Sequence, residues 1–171
     1  KGRLAGKALS AGRVGFAGTL AETGRLAGDL TGSAELGGTR IGLAGALTAD
    51  AETRRIDGLR LDAGPTVLTG DLAQDAAGLI TGKVALASSD ISTAAALALV
   101  EATGSANATI DLAPSNGTQA ARIDATLTRI ASSGVAIDAA RLSASLADLF
   151  GAPQGSFEAS GSGISADAIR D

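Results

Sequence analysis

A five-residue unit, apolar–any–Gly–any–apolar, recurs six times within the first 84 residues and constrains the fold more than any other feature. It reads Leu4 to Ala8 around Gly6, Phe16 to Leu20 around Gly18 and Leu26 to Leu30 around Gly28. Further copies are Leu43 to Leu47 around Gly45, Leu68 to Leu72 around Gly70 and Ile80 to Val84 around Gly82. The apolar positions and the glycine stand two apart, so all three fall on one face of a pleated strand. The clearest pair runs from Arg25 to Ala49. Leu26, Leu30, Ala34 and Leu36 alternate with Asp29, Thr31, Ser33 and Glu35. After Gly37-Gly38 the alternation resumes at Ile41, Leu43, Leu47 and Ala49. That pattern predicts two strands with one apolar and one polar face, joined by a glycine turn.

A glycine on the apolar face of a strand is costly unless something needs the space. Here it lets a sheet bend, or lets another chain or a ligand approach the backbone. The spacings between the six glycines are irregular, so the repeat is one of strand type rather than a fixed-period solenoid. Many such strands predict a curved sheet.

The alternation continues along the chain. Val14, Phe16 and Leu20 mark one strand. Ile56 and then Leu59, Leu61 and Ala63 mark another, whose change of parity at Asp57-Gly58 predicts a bulge. Asp50 to Thr53 reads as a polar turn, Gly64-Pro65 as a strand end, and Asn116-Gly117 as a tight hairpin of positive φ. Ala106 to Leu112, Ile123 to Leu127, Val135 to Leu146 and a last strand around Phe157 bring the count to about a dozen. At about 4.8 Å per strand, one sheet of that many must curl, split or close. Ser88 to Thr103 differs: Ser89-Asp90 offers a cap, Ala and Leu dominate, and Gly104 ends the run. It predicts a helix near residues 90–103, apolar round much of its circumference, that plugs the end of a groove or packs across the sheet. The expected organisation is one unit, 1–171, strand-rich over 1–87 and again over 105–171. With Lys1 at its start and no apolar run long enough to span a bilayer, the sequence reads as a piece of a longer protein.

Composition excludes several classes. There is no His, Cys, Met, Trp or Tyr, and aromatic residues make up 2%. A Ser-His-Asp or Cys-His pair and a zinc site of the usual kind are therefore unavailable. Gly6-Lys7 and Gly82-Lys83 lack both the preceding glycine and the following Ser or Thr of a phosphate loop. Asp62, Asp71 and Asp75 are scattered over strand and turn positions, as expected of a solvated face. The net charge of −4 and the absence of aromatic platforms argue against nucleic acid. The expectation is a protein that is not an enzyme and carries no cofactor and no metal.

The repeated units, together with Ile56-Asp57-Gly58-Leu59-Arg60-Leu61, Leu146 to Pro153 and the following Gly155-Ser156-Phe157, resemble the repeat region of the TamB family. These are translocation and assembly modules of Gram-negative envelopes, related to the AsmA-like proteins. The resemblance covers most of the chain and is one of texture, without a catalytic motif. It implies a mainly β fold, a long antiparallel sheet curved into a U-shaped trough with an apolar inner face. It also implies a periplasmic location within a protein anchored in the inner membrane, the carriage of phospholipid between membranes, and support of outer-membrane protein assembly with a TamA-like barrel. A wall of Leu, Ile, Val, Ala and Gly suits acyl chains, which need contact without directional bonds, each buried methylene contributing about 0.8 kcal/mol. The candidate lining is Phe16, Leu20, Leu26, Leu30, Leu36, Ile41, Leu43, Leu47, Ile80, Val84, Leu86, Ile110 and Leu112. Two other readings stand beside it: a scaffold that pairs client strands along an exposed edge, and a structural β-helix passenger, which the irregular glycine spacing disfavours.

Overall fold

The computed structural model describes residues 2–4, 7–9, 12–92, 95 and 100–166. Among these the chain is mainly β, an open antiparallel sheet with essentially no helix. Its strands are β1 (Gly2–Leu4), β2 (Lys7–Leu9), β3 (Arg13–Leu20), β4 (Leu26–Leu36), β5 (Thr39–Ala49) and β6 (Arg54–Ala63). They continue as β7 (Thr66–Gln74), β8 (Ile80–Ser88), β9 (Thr103–Ser115), β10 (Thr118–Ser132), β11 (Val135–Ala147) and β12 (Gln154–Ala166). From β4 to β12 each strand pairs with its sequence neighbours, while β2 and β3 share the other side of β4. Every pair of strands in substantial contact is a hydrogen-bonded pair, so these strands form a single layer.

The turns follow from their residues. Gly37-Gly38, Asn116-Gly117 and Ser133-Gly134 each supply two consecutive positive φ values between directly paired strand ends. This is the type I′ geometry whose twist matches that of the flanking strands. In the turn after β5 the Asp50 carboxylate accepts hydrogen bonds from Glu52 N, Thr53 N and the Thr53 hydroxyl. The bond from Thr53 N is the strongest of the influences holding its pKa below the ordinary range.

The bulge expected at Asp57-Gly58 is present. β6 carries one residue more than either neighbour between Ile56 and Arg60, and Gly58 has φ 60°. Its freed N–H donates to Asp71 Oδ1 at 2.7 Å. A second bulge, not anticipated above although the apolar positions change parity from Leu127 to Ile130, lies in β10 between Thr128 and Ala131, where Arg129 has φ 51°.

The glycines of the repeat serve neighbouring strands. Gly18 and Gly28 lie directly opposite each other, and a methyl on Gly28 would collide with the Ala17 carbonyl oxygen. At Gly82, φ 146°, the obstacle is the Asp71 carbonyl of β7. The space these residues keep free is taken by the protein's own backbone.

The helix expected near residues 90–103 falls largely on positions 93, 94 and 96–99, outside the described residues. Its flanks correct the expected bounds. Asp90 Oδ1 accepts from Ser92 N, as a cap does, and Ser92 and Ala95 are helical, but Val100 to Ala102 are not and Thr103 already opens β9. The backbone there must already reach the β9 ladder, with Ile91 N donating to Gly104 O, which the Ala and Leu content alone does not reveal.

One side chain completes the ladder where backbone fails. The β8–β9 pairing stops at Gly82–Leu112, and continuing it would set Ile80 against Pro114, which has no N–H. Gln119 of β10, 2% exposed, reaches across instead. Its Oε1 accepts from Ile80 N at 2.6 Å, and its Nε2 donates to Ile80 O at 2.9 Å. The amide thus stands in for a strand's peptide group. Gln119→Leu keeps the volume and orphans both Ile80 groups. It should lower the unfolding free energy by about 1–3 kcal/mol, read as a shifted urea midpoint with unchanged slope.

Candidate functional site

Residues directly opposite in an antiparallel ladder point to the same side of the sheet, so the register sorts the side chains into two faces. One face carries Val14, Phe16 and Leu20 of β3 and Leu26 and Leu30 of β4. It continues through Ile41, Leu43 and Leu47 of β5, Ile80, Val84 and Leu86 of β8, and Ile110 and Leu112 of β9. Leu36 pairs with Thr39 at the turn end of β4, in register with the same series. All thirteen residues chosen from the sequence therefore belong to one row system. The same face also carries Ile56, Leu61, Leu68, Leu72, Ile123 and Leu142, which alternation alone would have nominated. Most of these side chains are half-buried against one another. Phe16 and Leu20, near the sheet's end, are exposed at 40% and 71%.

Polar groups bound this face at both ends of the strands. At one end Ala63, Thr66, Ser88 and Ala106 form a row across β6 to β9 and are all buried. Thr66 Oγ1 and Ser88 Oγ are 2.7 Å apart, and the Thr66 hydroxyl also lies within reach of the Asp90 carbonyl at 3.3 Å. The start of the β8–β9 crossover therefore seals that rim. At the other end stand Gln119 and the pair Arg54–Gln74, Nη1 to Oε1 at 3.1 Å.

The opposite face is charged. Asp71, Lys83, Asp111 and Arg122 lie opposite one another in succession on β7 to β10, with Lys83 Nζ 3.4 Å from Asp111 Oδ1. Along β6, Arg55 pairs with Asp57 and Arg60 with Asp62, each at 2.6 Å and two residues apart on one face. Bonding to Asp57 pushes the Arg55 pKa further up. Asp62 and Asp71 thus sit on the solvated face, and Asp75 accepts the Leu79 N–H in a turn.

The two larger hollows, about 740 and 690 Å³, also open on this polar face. Val67, Thr69, Asn107, Asp124, Arg141 and Glu158 help to line the first, which Leu86 alone of the thirteen candidates touches. A third, about 390 Å³, lies at strand ends near Glu101 and Ser132. The apolar face is thus a broad, half-buried surface, and the hollows are elsewhere. Among the described residues no group of three or more acidic, His or Cys side chains is placed to hold a metal. No described helix is long and apolar enough to cross a membrane.

No family model matches the chain, and neither curated proteins nor solved structures yield a match. The two-faced geometry must therefore carry the functional argument.

The charge ladder specifies register, because a one-residue slip would send every charged side chain to the apolar face. Lys83→Glu sets three like charges side by side on β7, β8 and β9. It should cost about 0.2–1 kcal/mol for each cross-strand pair, and Asp111→Lys in the same chain should recover part of that loss in thermal denaturation at low salt.

Proposed function

We propose that this chain is a non-catalytic, lipid-carrying segment of a cell-envelope protein of the TamB and AsmA-like kind. In this reading the sheet curls about its apolar face into a U-shaped trough, and phospholipid acyl chains lie along it. The observation that carries the reading is a face of aliphatic side chains running from β3 to β11 with, among the described residues, no second layer of strands packed on it. That many strands at about 4.8 Å spacing present roughly 40 Å of apolar surface. A single leaflet's hydrocarbon is about 15 Å thick, half of a bilayer core, so the surface accommodates an acyl chain with room to move along it.

Physical chemistry supports the choice of ligand. The wall offers no hydrogen bond that a sliding chain must break, and its side chains gain by contact alone. Apart from Arg54, which is tied to Gln74 at the rim, the charge described above stays on the opposite face and does not touch the ligand. The setting that follows is the periplasm of a Gram-negative cell, within a protein tied to the inner membrane. A TamA-like outer-membrane barrel is its partner through other parts of that protein, and outer-membrane assembly is the process served.

Native mass spectrometry with lipid extraction, on the chain purified from a Gram-negative host, tests the reading. Bound phospholipid is expected. Leu30→Asp or Leu43→Asp should remove most of it while circular dichroism stays β-rich, and Thr31→Asp on the opposite face should leave it in place. A folded, lipid-free wild-type chain that excludes hydrophobic dyes would overturn the proposal.

A further inference from the structure

The two ends of the strands treat the apolar face differently. Between β6 and β9 one rim is the buried, uncharged row Ala63, Thr66, Ser88 and Ala106, whose hydroxyls are taken up by each other. The other rim holds Arg54, which is exposed. It lies opposite Ala49 of β5 and Gln74 of β7, in a row that runs on to Leu26 and Ile80. Among the described strand residues from β3 to β9, it is the one charged side chain in register with the apolar series. The cations of the polar face have other partners. Arg55, Arg60 and Lys83 each stand beside a carboxylate, whereas among the described residues no carboxylate forms an ion pair with Arg54. Its neighbour is a neutral amide: Arg54 Nη1 donates to Gln74 Oε1 at 3.1 Å, and Gln74 Nε2 donates to the Gly78 carbonyl at 3.2 Å. With both ends of that amide engaged, it aims the guanidinium without neutralising it. Asp50, in the turn before β6, spends its carboxylate on Glu52 N and Thr53. Asp75, in the turn after β7, accepts from Leu79 N.

We propose that Arg54 is a phosphate-binding residue at this rim, holding the headgroup of a phospholipid whose tails lie on the apolar rows inward of it. The inference rests on the lipid-carrying reading and adds to it an anionic headgroup and a fixed orientation. A guanidinium presents its N–H donors in a planar fork that matches phosphate oxygens. Gln74 uses one of these donors and leaves the rest of the fork to a ligand. Immediately inward, Leu47, Ile56 and Leu72 lie side by side, so aliphatic carbon begins one pleat from the charge. β6 is ten residues long, roughly 30 Å at about 3.3 Å per residue. A leaflet's hydrocarbon is about 15 Å thick, so tails that start at Arg54 end before the rim of Thr66 and Ser88. The reverse orientation would press a phosphate onto buried hydroxyls that are already paired, leaving its charge out of water and uncompensated. A lipid held by Arg54 keeps its head wet and its tails on carbon.

Native mass spectrometry of the 171-residue chain, offered dioleoyl phosphatidic acid and dioleoylglycerol in equal amounts from detergent micelles, tests the proposal. The two lipids share their tails and differ in the phosphate. A preference for phosphatidic acid of about tenfold is expected. Arg54→Gln should bring the two lipids to near parity, with dioleoylglycerol still bound as the sign that the variant is folded. Arg54→Lys, which keeps the charge but not the fork, should retain part of the preference, and Arg55→Gln on the opposite face should leave it whole. Glycerol phosphate, which has the phosphate without the tails, should not displace the lipid at millimolar concentration. Displacement would make this a site for free phosphate and sink the proposal. Equal binding of the two lipids to the wild-type chain, or a preference that survives Arg54→Gln, would overturn it and leave lipid carriage standing. Binding of neither lipid would end the lipid reading, and this one with it.

Discussion

The backbone hydrogen-bond ladder is what the rest of this structure depends on. In a protein with two packed layers, the core can hold strands that pair imperfectly. Here the ten long strands lie in one layer, and each is fastened only through its neighbours. An interruption in the ladder must therefore be repaired locally. Two repairs are visible. Asp71 takes up the N–H released at the Gly58 bulge, and the Gln119 amide replaces the peptide group that Pro114 cannot supply. Both use a polar side chain from an adjacent or next-adjacent strand, because within a single layer no other source is near.

The same dependence accounts for the division of the two faces. With strict alternation, register and facing are one property: the ladder that sets Leu43 opposite Leu61 also sets Gly42 opposite Asp62. Charge on one side and aliphatic carbon on the other are thus consequences of a single alignment. The rim of Thr66 and Ser88 closes the apolar rows where the crossover leaves the sheet. There the hydroxyls satisfy each other at 2.7 Å rather than lie unpaired against carbon.

Much of this was legible in the residues. Alternation located most of the strands, Gly37-Gly38 and Asn116-Gly117 announced their turns, and the parity change at Asp57-Gly58 announced its bulge. What escaped depended on partners distant in sequence. Gln119 looks like any polar residue at a strand start, and only the meeting of Ile80 with Pro114 gives its amide a task. The bulge at Arg129 did leave a sign, the parity change from Leu127 to Ile130, which was passed over. The charge ladder is spread over strands separated by turns and one long crossover, so its order appears only once register is known. Val100 to Thr103 were expected in a helix and are not helical, because local propensity ignores where the chain must arrive. The repeat glycines were read correctly as space-makers, but the occupant of the space is a neighbouring strand, which a linear pattern does not name.

The nearest-neighbour order from β4 to β12 also bears on how the chain folds. Almost every strand pair is a hairpin closed by a short turn, so loop-closure entropy is small and contact order is low for a protein so rich in β structure. Formation can begin at any of several hairpins and spread outward one strand at a time, in the manner of a linear repeat array whose stability sums over adjacent interfaces. The exception is the long crossover between β8 and β9, where the next strand must be found across a wider gap. There the β8–β9 ladder, from Gly82–Leu112 to Ser88–Ala106, and the Gln119 bonds to Ile80 are what join the two halves of the sheet.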